Sequence, residues 1–504
     1  MREDRLAKVA IILAAGMIAL RLILSAAVGL GDDESYYWDW SRHMALSYYD
    51  HPGMVAWLIR LGTDIFGQNS FAVRFFGVVC GALGAVFLWK TAIEMFDRRV
   101  ASASLILYVL APILSVGGLL MVPDAPMAAA WMGFTYLLWR LWSRPDASWT
   151  EWIAAGVVLG LGFLSKYTIV LCAVSGVALF TFSPRRNEFA RSKIYVAILI
   201  AAVLCLPIVL WNIQYDWPSL KFHLKERQSG GGGANFNRWL QYFVSQAVAL
   251  GPVLFFACVA GLVASFRRLN DRRWFFIALV SSPPLFIFTA QALFAEFKPH
   301  WPVPAYPLLF IGVSALYFEW RERQPKSLFR QSLIALLFFY FALLNILAPI
   351  ALVSPVIPKL ARVFAPGAEW DPKFDPTNDM YGWDAAVAEA NRLRDGEEKK
   401  TGERPFLSSS RYQLVSQIAF ASQEDVARVI PTKDEYSFVQ DEAYWTERLG
   451  KSSIFIVDHR YDRDPRRDRV FEKCTQRPDF YFDRGSERSR IFKIWICRGF
   501  KGVN

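Results

Sequence analysis

The residues best suited to chemistry gather in one stretch, Gly31 to Met54, directly after the first apolar segment. Asp32, Asp33 and Glu34 put three carboxylates at the mouth of a membrane helix, where acids cost free energy unless they have work to do or cations beside them. Tyr36, Tyr37, Trp38, Trp40, Tyr48 and Tyr49 supply rings that suit a membrane interface or the flat face of a sugar. Asp50 and His51 close the stretch just before Pro52. Taken alone, the same stretch also reads as an aromatic interfacial belt with solvated acids.

Further ionisable groups recur at the ends of apolar segments. They are Asp124 in Met-Val-Pro-Asp-Ala-Pro, Lys166 with Tyr167 in Leu-Ser-Lys-Tyr-Thr, and Glu296, Lys298 and His300 in Glu-Phe-Lys-Pro-His-Trp. Lys221, His223, Lys225 and Arg227 precede Gly230 to Gly233 and read as a basic flap on a flexible tether or as a slack linker. Each has a plainer reading too: Asp124 as a turn residue, Lys166 as a snorkelling cation, His300 as an interface anchor. Gathered at one membrane face, carboxylates and cations suit transfer from a phosphate-linked donor. Cations stabilise the departing phosphate, and a carboxylate takes the proton of an attacking hydroxyl.

The elements that must position these groups are membrane helices. Of 504 residues, 54% are hydrophobic and 15% aromatic, with 19 Trp and 40 Phe, and the mean hydropathy is +0.24. That composition indicates a bilayer protein. The formal charge of +11 lies mostly in short loops between apolar segments, so it marks topology and not nucleic-acid binding. No small-residue cleavage site follows Val9 to Leu30, which therefore reads as a retained helix. Of six Cys, Cys80, Cys172, Cys205 and Cys258 lie in apolar spans, where a thiol packs as a small hydrophobe. Cys474 and Cys497 lie in the polar tail and could pair in an oxidising compartment.

A spanning helix needs about 20 apolar residues. Segments of that kind fall near 8 to 30, 71 to 93, 101 to 121, 125 to 142, 152 to 165, 167 to 182, 194 to 213, 240 to 265, 274 to 294, 301 to 319 and 331 to 353, about eleven spans by that criterion. Lys and Arg concentrate in alternate loops, which places the N-terminus in the cytoplasm and the 31 to 70 loop outside. The same assignment puts Asp124, Lys166, the 214 to 239 loop, residues 295 to 300 and the tail on the outer side. From about residue 366 the chain is polar, with a helical pattern at Trp383 to Leu393 and strand patterns at Ser453 to Val457 and Ile491 to Cys497. The expected fold is an all-α polytopic membrane domain, residues 1–353, followed by a small α/β domain, residues 366–504, on the periplasmic side. Asp458 and His459 end a strand, a position that can be catalytic in α/β folds, but the plainer reading is a solvated strand end.

These motifs resemble the GT-C class of polyprenyl-phosphate-sugar glycosyltransferases, in the branch of protein O-mannosyltransferases and of the bacterial enzymes that add aminoarabinose or galacturonic acid to lipid A or lipopolysaccharide core. Asp33-Glu34-Ser35-Tyr36-Tyr37 is similar to the branch's opening Asp-Glu motif. Tyr48 to Pro52 resembles its Tyr-Tyr-Asp-His-Pro-Pro motif, with Gly53 replacing the second proline. Pro123 to Pro126, Leu164 to Tyr167 and Lys298 to Trp301 follow in the family's order. The resemblance covers roughly residues 8 to 320 and implies Asp33 as catalytic base beside Glu34, and Asp124 as a second acid at the acceptor. It also implies Lys166, Lys298 and His300 near the donor phosphate; His51, Asp50, Tyr167, Lys221, Arg227, Tyr36 and Tyr37 are the further candidate substrate contacts on the same outer face. The aminoarabinose transferases carry Glu-Lys where this chain has Asp50-His51, and a histidine is the weaker phosphate ligand at neutral pH.

The sequence thus reads as an inner-membrane enzyme that moves a sugar from a polyprenyl phosphate to lipid A or lipopolysaccharide core at the periplasmic face, with inversion and with no metal or other cofactor required. The bilayer and these lipids are the expected partners, and nucleic acid is not. A protein O-glycosyltransferase is the nearest alternative. A transporter or lipid flippase would favour inverted repeats and charges at mid-membrane, and neither is seen. A structural anchor for the tail leaves the outer carboxylates unexplained.

Overall fold

Long runs of Leu, Ile, Val, Ala and Phe between basic loops satisfy their own backbone only as helices when lipid surrounds them, and helices dominate the protein. The computed structural model describes residues 2–223, 233–365, 367, 370–430 and 442–503. Six helices are long and apolar enough to cross a bilayer: Glu3–Ala27, Ser70–Met95, Ser192–Gln214, Arg272–Phe294, Val303–Arg323 and Leu328–Val353. Counting each of two bent pairs as one span raises this to eight among the described residues. The expected intervals are largely helical, but the expectation of about eleven spans is not matched by length and hydropathy. The interval near 101 to 121 breaks into Arg98–Leu110 and Pro112–Gly117, because Pro112 has no N–H to continue the first helix. Trp149–Ser165 is apolar but shorter than a full span. Ile12, Leu199, Phe256 and Phe286 are all more than half exposed, as lipid-facing side chains are in a multi-pass membrane protein.

The chain divides into two compact units. The first comprises Met1–Ser25, Ala45–Leu58 and Arg74–Leu347. Its core holds Trp131, Trp139, Trp142, Trp274, Phe276, Phe310 and Phe341, all buried, and Trp139 meets Phe276 edge-on at 5.2 Å. Local signals start its helices. Asp97 accepts from the Val100 amide at 2.8 Å, and Ser148 and Glu151 form a capping box ahead of Trp149–Ser165.

The second unit comprises Ala26–Met44, Ile59–Val73 and Ala348–Asn504. It contains strands β1 (Phe406–Ser409), β2 (Ala427–Arg428), β3 (Ser453–Asp458), β4 (Phe471–Gln476), β5 (Phe480–Arg484) and β6 (Glu487–Phe500). The sheet runs β2-β1-β3-β6-β4, with β5 also paired to β6. β1 is parallel to β2 and β3, whereas β6 is antiparallel to β3, β4 and β5. Helices Trp383–Thr401 and Tyr412–Ser422 complete its α/β core. Cys474 stands directly opposite Cys497 in the β4–β6 register, and the two form a disulfide. The four remaining thiols are free, three of them buried.

Asp458 corrects the sequence reading. It is fully buried, not solvated, and its oxygens bind Arg460 at 3.0 Å and Arg490 at 2.9 Å. Burial opposes its ionisation, but Arg490 and Arg460 outweigh it and hold the carboxyl below the usual carboxylate range. The paired guanidiniums could not be foreseen from the strand's own residues.

Candidate active site

Lys166 follows helix Trp149–Ser165 in an extended conformation, and the short 3₁₀ turn Tyr167–Ile169 then leads into Val170–Thr181. This break lets the side chain leave the helix axis. Lys166 is 5% exposed, and its Nζ donates to both oxygens of Asp124 at 2.8 and 2.7 Å. Asp124 is the first residue of helix Asp124–Ser143, where the helix dipole favours an anion. His300 Nε2 lies 4.0 Å from the same carboxylate. Three groups singled out in separate motifs therefore meet.

The 45–58 segment builds a second wall of the same unit. Tyr48 donates its amide to the His51 carbonyl at 3.1 Å, and Ser47 pairs with Pro52 across an isolated bridge. Gly53 leaves room for the Trp57 ring, which a Cβ there would strike at 2.6 Å. The indole donates to the Ala45 carbonyl at 3.0 Å and closes the loop. Ser219 Oγ donates to the Tyr48 carbonyl at 2.8 Å, and His223 Nε2 lies 2.9 Å from the Asp50 carbonyl oxygen. Asp216 and Trp217 both adopt the left-handed conformation, with φ of 60° and 59°, which non-glycine residues seldom do without a purpose. That turn brings Trp217, Ser219 and His223 to a common cavity.

The cavity has a volume of about 570 Å³. Lys166, His51, His223 and Tyr167 give it a polar part, and Phe163, Ile208, Val209, Phe288 and Trp301 give it apolar walls. The Tyr167 and His223 rings meet edge-on at 5.1 Å, and the His51 and His223 centroids are 6.3 Å apart. No carboxylate occurs among the described lining residues. Such a space suits an amphipathic anion, its charge at the lysine and histidines and its chain along the apolar wall.

Other expected site residues lie elsewhere. Lys298 is exposed and does not line the cavity, and Lys221 is exposed and paired with Asp216. Arg227, Lys225 and Gly230 to Gly232 lie outside the described residues. Asp50 is half-buried beside the cavity-lining His51. Asp33 and Glu34 belong to the second unit, in the first turn of helix Asp32–Arg42. Asp33 is exposed. Glu34 is buried, and its Oε2 accepts from the Gly31 amide at 3.0 Å, which caps its own helix. Tyr36 and Tyr37 are buried, Tyr36 against Tyr412 at 4.4 Å. Sequence reasoning missed Asn212, Trp217 and Ser219 in the cavity wall; only Trp217-Pro218, a bulky residue forced into a turn before proline, signalled them.

Residues 50–211 match the family described as dolichyl-phosphate-mannose-protein mannosyltransferase. The chain is 15% identical to ArnT from Cupriavidus metallidurans, whose apo crystal structure superposes with a TM-score of 0.65 over 96% of this chain and 97% of that one. The chain has the fold of ArnT. ArnT has also been solved bound to undecaprenyl phosphate, and that structure has a TM-score of 0.62 to this chain. In sequence, the chain is 28% identical over 308 residues to the lipid A galacturonosyltransferase RgtD of Rhizobium johnstonii, covering 61% of this chain and 64% of that protein. It is 25% identical over 344 residues to the undecaprenyl phosphate-alpha-4-amino-4-deoxy-L-arabinose arabinosyl transferase 2 of Proteus mirabilis, covering 63% and 60%. The chain thus matches less than two thirds of the length of either relative.

Proposed function

We propose that the protein transfers a sugar from a polyprenyl phosphate to lipid A or lipopolysaccharide core, at the periplasmic face of the inner membrane. The observation that carries this reading is the cavity whose apolar wall ends at Lys166, His51 and His223, a shape and charge suited to a lipid phosphate. The names of the two relatives and the likeness to ArnT support the same donor and acceptor classes. The loop charges favour a cytoplasmic N-terminus, and the disulfide in the tail fits an oxidising compartment.

In this reading Asp33, at an exposed helix start, is the base that takes the proton of the acceptor hydroxyl. The freed oxygen attacks the anomeric carbon, the bond from that carbon to the phosphate oxygen breaks, and polyprenyl phosphate departs. One displacement inverts the anomeric centre. Lys166 and the cavity histidines meet the charge on the leaving phosphate, and Asp124 fixes the ammonium while standing as the second acid near His300. Glu34 serves by capping the helix that presents Asp33, and Tyr36 and Tyr37 by packing it.

The match to a protein mannosyltransferase family over 50–211 favours a protein acceptor as a second reading. Mass spectrometry of envelope lipids and glycoproteins from cells with and without the gene separates the two. Loss of one sugar from lipid A or core supports the proposal, and loss from glycoproteins alone replaces it with the second reading. No change in either removes both.

A further inference from the structure

The helix that presents Asp33 is held at its first turn by one guanidinium from the tail. Arg460, just beyond β3, donates from Nη2 to Asp32 Oδ2 at 3.1 Å, from Nε to Asp458 at 3.0 Å, and from Nη1 to Asp379. Arg490 on β6 completes the group, donating to Asp458 at 2.9 Å and to the Asn378 carbonyl at 2.9 Å. Gln417 adds a neutral tie: its Nε2 lies 2.9 Å from the Leu30 carbonyl, 3.2 Å from Asp32 Oδ1 and 3.1 Å from the Asp379 carbonyl. At Gly29 any Cβ would collide with the Met380 carbonyl, so the backbone entering the helix is pressed against the same segment. The rest of helix Asp32–Arg42 is fastened separately. Trp38 meets Phe420 edge-on at 4.9 Å, and Arg42 pairs with Asp425.

We infer that Arg460 is a positioning residue: by fixing Asp32 it sets the orientation of the helix's first turn and therefore of the adjacent Asp33. The inference rests on the proposed role of Asp33 as base. The chemistry favours orientation over bulk stability as the purpose of the arrangement. Two arginines amid three acids, with Asp458 and Arg490 fully buried, bring little net stability compared with apolar packing but impose one geometry. Three carboxylates from separate segments can be held at once by the planar fork of an arginine, which a lysine does not reproduce.

The test uses the full chain in nanodiscs and in cells. In Arg460→Ala, hydrogen–deuterium exchange should rise at least 10-fold for the amides of residues 32–36, and in Asp32→Asn it should rise there with β3 and β6 unchanged. The sugar that distinguishes wild-type from deletion envelopes should fall on the order of 100-fold, as misplacement of a reacting group by about 1 Å does. Asp32→Asn, which leaves the sheet intact, should reproduce both effects. The double variant should be no worse than Arg460→Ala alone, since Asp32 is the contact through which Arg460 reaches the helix, and Arg460→Lys should restore only part of the loss. Unchanged exchange and unchanged product in Arg460→Ala and Asp32→Asn overturn the inference, as does full additivity. Asp33→Asn separates the two claims. If it abolishes product while Arg460→Ala does not, the base stands and the positioning role falls; if it leaves product intact, the base assignment falls whatever the exchange shows.

Discussion

Lys166 Nζ donates to both carboxylate oxygens of Asp124, at 2.8 and 2.7 Å. The pair joins the end of one helix to the start of another, and Lys166 also lines the cavity. Lys166→Met should therefore leave the protein in the membrane and lower envelope-sugar product at least 10-fold. Asp124→Asn, which leaves the ammonium without its charged partner, should in addition destabilise the protein by about 2 kcal/mol. Thermal unfolding in nanodiscs and product mass spectrometry check both, and full product with Lys166→Met would remove the lysine from donor binding.

Asp33→Asn keeps size and helix position but loses the basic oxygen. Product should disappear while membrane-inserted protein stays at the wild-type level, since Asp33 is exposed. General-base assistance is worth roughly 10² to 10⁴ in rate, so a residual of about 1% or less is expected. Near-normal turnover would mean another group takes the proton.

Asp379 gives a pH dependence with a definite sign. Burial, then the neighbouring Asp32, push its carboxyl up to about 6, against the pull of Arg460 and Arg490. Asp458 adds to the upward push. A carboxyl raised above its unfolded value loses stability as pH rises through the folded value. Wild type should thus give up about 2–3 kcal/mol between pH 4 and pH 8, and Asp379→Asn should melt higher at pH 8 and together with wild type at pH 4. A lower melting point for the variant at pH 8 would contradict the assignment.

The disulfide joins facing residues of β4 and β6 across 23 positions. Replacing both cysteines with serine should cost about 3 kcal/mol by the loop-entropy argument. Melting curves with and without reductant would show the same drop in wild type and none in the double variant. Insensitivity of wild type to reductant would mean that the bond adds nothing.

Hydrophobic periodicity carried much of the architecture. Apolar runs marked the helical intervals, and Ser453 to Val457 and Ile491 to Cys497 fall within β3 and β6. Span number was less legible, because Pro112 and the bends within 167–190 and 236–267 break apolar runs that hydropathy alone treats as continuous. At the site, Asp124, Lys166 and His300 were found because each stands beside a proline or a helix end in an otherwise apolar context. His223 was visible only as one basic residue among several. Arg460, Asp379 and the burial of Asp458 were not legible at all: the residues that pair with Asp32 lie hundreds of positions away, and no local pattern encodes a long-range ion pair. Glu34 looked like a second acid, and only the Gly31 amide at 3.0 Å reveals a cap.

The most direct test of the whole account is labelling with a membrane-impermeant maleimide in intact spheroplasts. Single cysteines would be placed at positions 33 and 124, in a background with Cys80, Cys172, Cys205 and Cys258 replaced by alanine. Both positions should react from outside, while a control cysteine at Arg98 should react only after the membrane is opened. Reaction of positions 33 and 124 from opposite sides would leave the acids on different faces of the bilayer and contradict the proposed enzyme.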